Sequence, residues 1–229
     1  NNNQGVAIYH TNRSSIYHNT FANNTKDVYS SDSVSNWDNG YEGNHWSSYN
    51  GTDMDYDGIG DVSYEIDENN IDQHPLMGRF YSFNTSYDYQ VSFISNSSIS
   101  NLDFSLTDPS YATLTFNVTG DTGTKGFCGI CIPKVLINGS YVVRFNGGVV
   151  TYPQVRELPH SNETHEYLYI NYTHGDNWIE ISGTTMIPES PSFLSVPLFM
   201  TATLLAVMRC KKKRTFQKIE MSSPKIVYH

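Results

Sequence analysis

The stretch Ala112-Thr-Leu-Thr-Phe-Asn-Val118 alternates without exception, with Ala112, Leu114, Phe116 and Val118 on one side and Thr113, Thr115 and Asn117 on the other. A period of two belongs to a strand with one buried face, and a helix of 3.6 residues per turn cannot bury it. Leu168, Ile170 and Tyr172 alternate in the same way with Tyr167, Tyr169 and Asn171, and Tyr141, Val143 and Phe145 alternate with Val142 and Arg144. Turn-forming Asn138-Gly139, Asn146-Gly147-Gly148 and Gly175-Asp176 separate such runs, as antiparallel strands require. About seven strands at this spacing across residues 80–184 predict a β-sandwich of immunoglobulin-like character, with the strand order left open.

Residues 1–35 carry a different pattern. Ile8-Tyr-His10 and Ile16-Tyr-His18 recur among short apolar runs, with Asn-, Ser- and Thr-rich corners between them. Short strands joined by such corners suit a parallel β-solenoid, because Asn tolerates the left-handed corner conformation and stacked Asn side chains bond along the axis. Two ordinary hairpin strands are the alternative. Next come the aromatic residues Trp37, Tyr41, Trp46 and Tyr49, an acidic loop from Asp53 to Asp61, and an exit at His74-Pro75-Leu76.

The order Asn36-Trp-Asp-Asn-Gly40, Gly43-Asn-His-Trp-Ser-Ser-Tyr49, Asp57-Gly-Ile-Gly-Asp61 and Pro75-Leu-Met77 resembles the C-terminal end of NosD-type domains. These belong to the carbohydrate-binding and sugar-hydrolase (CASH) right-handed β-helices common in archaeal surface proteins. The resemblance covers residues 1–78 and implies the last coils of a right-handed parallel β-helix. A solenoid must close its apolar end and free strand edge, and the aromatic block is placed to do so. The chain is thus expected to be mainly β. Terminal coils and a calcium-loop cap occupy 1–79, the sandwich 80–184, a linker 185–190, a transmembrane helix 191–208 and a basic tail 209–229.

Pro191 to Met208 carries no charge over 18 residues, about 27 Å as a helix and so close to the thickness of a bilayer core. Seven of the 14 basic residues, but only Glu220 of the 23 acidic ones, lie from Arg209 onward. The positive-inside rule therefore puts the tail in the cytoplasm and the body outside. Pro188-Glu-Ser190 before the apolar run resembles archaeal Pro-Glu-Phe sorting signals, with Ser190 in place of Phe and a longer tail. The acidic body argues against a nucleic-acid partner, since phosphate binding needs a basic face. Glycosylation sequons occur at Asn12, Asn23, Asn50, Asn84, Asn96, Asn117, Asn138, Asn162 and Asn171, all ahead of the apolar run, as expected of an exterior glycoprotein.

The strongest chemical signal is Asp53-x-Asp55-x-Asp57-Gly58-Ile59-x-Asp61. Acids at positions 1, 3, 5 and 9, a turn glycine at 6 and a carbonyl at 7 follow the first part of an EF-hand loop, and hard oxygen donors favour Ca²⁺. Position 12 is Tyr64 rather than Glu, leaving Glu65 or Asp67 to complete the shell. A solvated acidic turn is the alternative. Trp37, Tyr41 and Trp46 suit either a glycan-stacking platform or the packing of a cap. Asp38 and Glu42 lie beside them, and a glycosidase would need two such acids across a cleft.

NosD-type proteins are linked to copper-site maturation, which makes His10, His18, His45 and His74 candidate ligands, against surface or stacking roles. Copper would need imidazoles converging with Met or Cys. Cys128-Gly-Ile-Cys131 lies among strands, where a redox motif or zinc site is poorly supported and a local disulfide or two inert thiols remain. No catalytic residue is assigned. The expected role is a membrane-anchored surface protein, structural, adhesive or carbohydrate-binding, with the membrane and polysaccharide or cell-envelope components as its partners. The alternatives are a copper-site accessory protein and a polysaccharide lyase or hydrolase with its catalytic coils upstream.

Overall fold

A computed structural model describes residues 2–187 apart from Pro109 and Pro153. The apolar run 191–208 and the tail 209–229 lie outside the described residues. Among the described residues no helix is long and apolar enough to cross a membrane. They are mainly β, with eighteen strands and no helix.

Strands β1 (Gln4–Tyr9), β2 (Asn12–Ser15) and β3 (Thr20–Phe21) make one turn of chain, and β4 (Lys26–Ser31), β5 (Val34–Asn36) and β6 (His45–Trp46) make the next. Each strand runs parallel to its counterpart, with Ile8 beside Ser30, Asn12 beside Val34 and Phe21 beside Trp46. The offset is 22 residues where Asn12 bonds Val34 and 25 where Asn19 bonds Asn44. Ile8-Tyr-His10 and Ile16-Tyr-His18 fall in the same turn, so their recurrence marks neighbouring faces and not stacked copies. The chain turns at the corners with positive φ at His10, His18, Asn23 and Asp32, and Arg13 takes positive φ inside β2, where the register shifts.

Ile8, Phe21, Val28, Trp37 and Trp46 fill the interior of the turns. A polar ladder runs beside them. The amide and Nδ2 of Asn19 both donate to Oδ1 of Asn44 (3.0 and 3.1 Å), and Asn44 Nδ2 donates to the carbonyls of Ile16 and Trp37. Stacked Asn side chains were expected here, and Asn19 and Asn44 are such a pair.

The hairpin β7 (Tyr64–Asp67) and β8 (Asn70–Asp72) closes the stack. In β8, Asn70 and Asp72 are buried and Ile71 is exposed. Asn70 Oδ1 accepts from the Ser35 amide and the Trp37 indole, each at 3.0 Å. Asp72 Oδ2 accepts from the Asn44 amide at 2.8 Å and the Trp46 indole at 2.9 Å. The Ser35 and Asn44 amides point away from the first turn, so side-chain acceptors replace the carbonyls a third turn would offer. Leu76 pairs in parallel with His45, and Tyr64 stacks on Trp46, which itself stacks on Phe21.

The remaining strands are β9 (Arg79–Asn84), β10 (Gln90–Ser95), β11 (Ser98–Asp108), β12 (Tyr111–Thr119), β13 (Lys125–Pro133), β14 (Asn138–Phe145), β15 (Gly148–Val150), β16 (Val155–Glu157), β17 (His165–Thr173) and β18 (Asn177–Thr184). They form two five-stranded antiparallel sheets, ordered β16-β17-β13-β10-β9 and β11-β12-β18-β14-β15. Val91, Phe93, Ile130, Ile132, Leu168 and Ile170 of the first sheet share one core with Leu114, Phe116, Val118, Val143, Ile179 and Ile181 of the second. Phe93 and Phe116 meet edge to face across it at 5.0 Å. Each such side chain contributes about 1.5–3 kcal/mol by leaving water.

Burial along β12 alternates over its full length, matching the sequence pattern. Ten strands stand where about seven were expected. Three-residue β15 and β16 are too short to show a period, and Arg79-Phe-Tyr-Ser-Phe-Asn84 of β9 lies half-buried at an edge. Asn146 and Gly147 form the expected reversal, both at positive φ. Asn138-Gly139 does not, because it opens β14 at a register irregularity.

Candidate metal centre

The acidic loop is held from two sides. Gly60 N donates to Pro75 O at 2.7 Å and Met77 N to Gly58 O at 2.9 Å, which binds it to the chain leaving the closing hairpin. Gly58 takes φ +89°, a conformation that a side chain would strain. On the other side the loop lies against the outer face of the first sheet. Gly129 of β13 lies beneath it, where an added Cβ would stand 3.5 Å from the carbonyl of Asp57, an ordinary packing distance.

Asp53, Asp55 and Asp57 each bring a carboxylate oxygen within 4.8 Å of the others. Backbone amides fix two of these side chains. Asp53 accepts from Asp57 N (3.1 Å) and Gly58 N (3.0 Å), and Asp57 from Ile59 N (2.7 Å). Burial raises the Asp53 carboxyl to about 6, with the Asp57 charge adding to it against the pull of the amide donors. Asp57 is raised as well, by burial first and then by Asp55 and Asp61. Partly desolvated like charges this close favour either a proton or a cation.

The donor set fits a hard divalent ion: three carboxylates with lone pairs to spare and no thiolate among them. Asp61 serves the loop differently, its Oδ2 accepting from the Met54 amide at 2.8 Å and from Thr52 Oγ1 at 3.3 Å. Ile59, the expected carbonyl donor, pairs with Leu76 next to Gly58. Among the described residues no other group of three or more His, Cys, Asp or Glu converges for a metal. The chain matches no family model, no curated protein and no solved structure.

Other expected ligands sit elsewhere. Asp67 accepts from Asn70 Nδ2 and the Asn69 amide, which commits it to the turn of the closing hairpin. Glu65 is exposed on β7 opposite Ile71. Tyr64, at the position where an EF-hand would carry Glu, stacks on Trp46 at 4.6 Å and shares a hydrogen bond with Ser48.

The three-ring sugar platform does not form. Trp37 and Trp46 are 0% and 1% exposed, and Tyr41 stands apart at 79%. Sealing the turns takes both indoles into the core. Asp38 and Glu42 are spent on histidines: Glu42 Oε2 lies 2.7 Å from His18 Nε2, and Asp38 Oδ1 lies 3.4 Å from His74 Nδ1.

The four histidines proposed for copper occupy separate places. His10 faces Asp32 in solvent, His18 stacks on Phe80 at 3.6 Å, and His45 has a buried Nδ1 without a partner. Cys128 and Cys131 are free thiols, which corrects the disulfide expectation. Three residues apart on one strand they point to opposite faces, beyond bridging distance. Burial raises both thiols.

Of the sequons, Asn12, Asn23, Asn50, Asn84, Asn96 and Asn162 are exposed, and Asn117, Asn138 and Asn171 are partly buried. The Asn96 amide nitrogen donates to Lys125 O at 3.0 Å while its oxygen accepts from Phe127 N. A glycan there would break that link.

Sequence reasoning missed Tyr56, Tyr169 and Arg156. Tyr56, inside the acidic loop at φ +63°, meets Tyr169 edge to face at 6.0 Å and lies under the Arg156 guanidinium at 4.2 Å. Tyr169 falls on the polar side of the β17 alternation yet is buried. Two tyrosines, Tyr167 and Tyr169, on a supposedly solvated face were the available signal.

Proposed function

We propose that the chain belongs to a membrane-anchored cell-surface protein in which the acidic loop holds a structural Ca²⁺ between a capped stack of parallel turns and a β-sandwich. The convergence of Asp53, Asp55 and Asp57 within 4.8 Å carries this reading. On a loop pinned to both neighbours, an ion would neutralise the mutual repulsion and fix the two packings together. Extracellular loops of this kind bind at roughly 10⁻⁴–10⁻³ M, a fit for the calcium-rich exterior.

The turns β1–β6 are the final coils of a right-handed parallel β-helix, and β8 is its cap. Parallel pairing at a near-constant offset and the Asn19–Asn44 ladder support this assignment. Residues 191–208 form the span and 209–229 the cytoplasmic tail, supported by the uncharged run and the basic block that follows it. The role is structural, adhesive or glycan-binding. Among the described residues no pair of acids faces a cleft free of other partners, and the histidines do not converge, so neither the hydrolase nor the copper reading gains a supporting observation.

The test is calcium titration of the full chain in detergent, followed by isothermal calorimetry and thermal melting. Saturable binding that raises the melting temperature and disappears in Asp55→Asn supports the assignment. A melting temperature indifferent to millimolar calcium overturns it.

A further inference from the structure

A groove of about 740 Å³ opens where the β16–β17 edge of the first sheet faces the β14–β15 hairpin of the second, lined by Tyr56, Lys125, Phe127, Arg156, Tyr169 and Tyr172 among others. That volume suits a small-molecule or oligomer unit. Its walls are flat rings: Phe127 and Tyr169 stack at 5.5 Å and 11°, and Phe145 and Tyr172 at 5.5 Å and 29°. No carboxylate lines it, although acids outnumber bases in the chain by nine.

Two cations, Lys125 and Arg156, stand in it. Lys134 and Arg144 on the same sandwich pair with Glu166 and Glu180. Among the described residues Lys125 and Arg156 have no ion-pair partner, and the buried Nε of Arg156 has no acceptor. Arg156 instead lies between the rings of Tyr56 (4.2 Å) and Tyr152 (5.7 Å). Arg156 is half-buried, and its Nε–H, withdrawn from water with no acceptor, leaves the guanidinium short of an anion.

We propose that this groove binds an acidic saccharide, its pyranose faces against the aromatic rings and a carboxylate on Arg156, with Lys125 as the second cationic contact. Stacking of apolar C–H faces on rings and bidentate pairing of a carboxylate with guanidinium are the two recognition chemistries present. An acidic peptide shares the charge but needs strand edges to pair with. Here the Asn171 amide already donates to Gln154 O, which leaves little free backbone at that edge. The site stands on its own residues and does not depend on an ion in the acidic loop.

Calorimetry on the full chain at fixed calcium, with trigalacturonic acid, maltotriose and triglutamate, tests it. Trigalacturonic acid should bind, more weakly as salt rises, and maltotriose and triglutamate at least tenfold less tightly. Arg156→Ala should cost about tenfold in affinity, with Arg156→Lys intermediate and Arg144→Ala unchanged. Lys125→Gln, exposed and away from the core, should weaken binding without altering the melting temperature. Equal affinity for maltotriose, tighter binding of triglutamate, absence of binding, or indifference to both Arg156→Ala and Lys125→Gln would overturn the proposal.

Discussion

The indole nitrogen of Trp46 donates to the carboxylate of Asp72 across 2.9 Å, with both side chains withdrawn from solvent. The same carboxylate also accepts from the amides of Asn44 and His74. Burial nonetheless leaves the net push on Asp72 upward, against these donors.

Replacing Asp72 with Ala strands the buried Asn44 amide and Trp46 indole together with the part-buried His74 amide. At about 1–3 kcal/mol for each orphaned group, and allowing for partial hydration, the loss should be about 3 kcal/mol. Chemical denaturation of Asp72→Ala beside Ile71→Ala, whose side chain is exposed, measures it. A cost within 0.5 kcal/mol of the Ile71 variant, roughly the surface background, would refute the capping role.

Calcium should stabilise the chain by mass action, by about 2.7 kcal/mol at one hundred times the dissociation constant. Asp53→Asn and Asp57→Asn should remove most of that gain while melting slightly higher than the parent in chelator, because each deletes one repelling charge. Differential scanning calorimetry with and without EDTA gives both numbers. A calcium shift preserved in both variants would place the ion elsewhere.

Acid should weaken the fold through His45. Burial, and then the positive charge of Arg79, lowers its imidazole below the ordinary value near 6.5. The unfolded chain therefore takes up the proton first as pH falls. Stability from this group is complete above about pH 6.5 and is lost as pH drops toward the folded value. His45→Gln should flatten the slope of melting temperature between pH 7 and 5 relative to the parent. Asp53 and Asp57, whose raised values act with the opposite sign, are common to both proteins and cancel in the difference. Identical slopes would count against the assignment.

Cys128 and Cys131 should titrate as two free thiols. In a Cys210→Ser background, a thiol reagent should modify both rapidly in denaturant and both slowly in the native state, Cys128 the slower. Mass spectrometry without reductant that found a Cys128–Cys131 bridge would contradict the strand geometry.

The sandwich was legible where strands are long. Nine-residue β12 and β17 repeat their period often enough to be unmistakable, and Leu114 and Ile170 fall in the core as the alternation requires. The parallel turns were legible only in character. Strands of two to six residues carry too short a period to read, and the stacking partners Phe21 and Trp46 sit 25 residues apart without sharing a residue type. The acidic loop was readable because its donors are contiguous. Its attachment to Tyr169 and Arg156 was not, since that contact joins residues about a hundred positions apart through faces the alternation labels as solvent.

The side chains of Asn70 and Asp72 give the stacked turns a fixed terminus on one side only. Most of their bonds reach the last turn, through Ser30, Ser33, Ser35, Trp37, Asn44 and Trp46, and the rest, to Asp67 and from the His74 amide, stay within the closing segment. The number of turns is thus decoupled from the means of ending them. A whole repeat inserted or deleted on the far side leaves the terminus untouched, so a protein built this way can change the length of its stack in discrete steps while the closing hairpin, the acidic loop and the sandwich stay as they are.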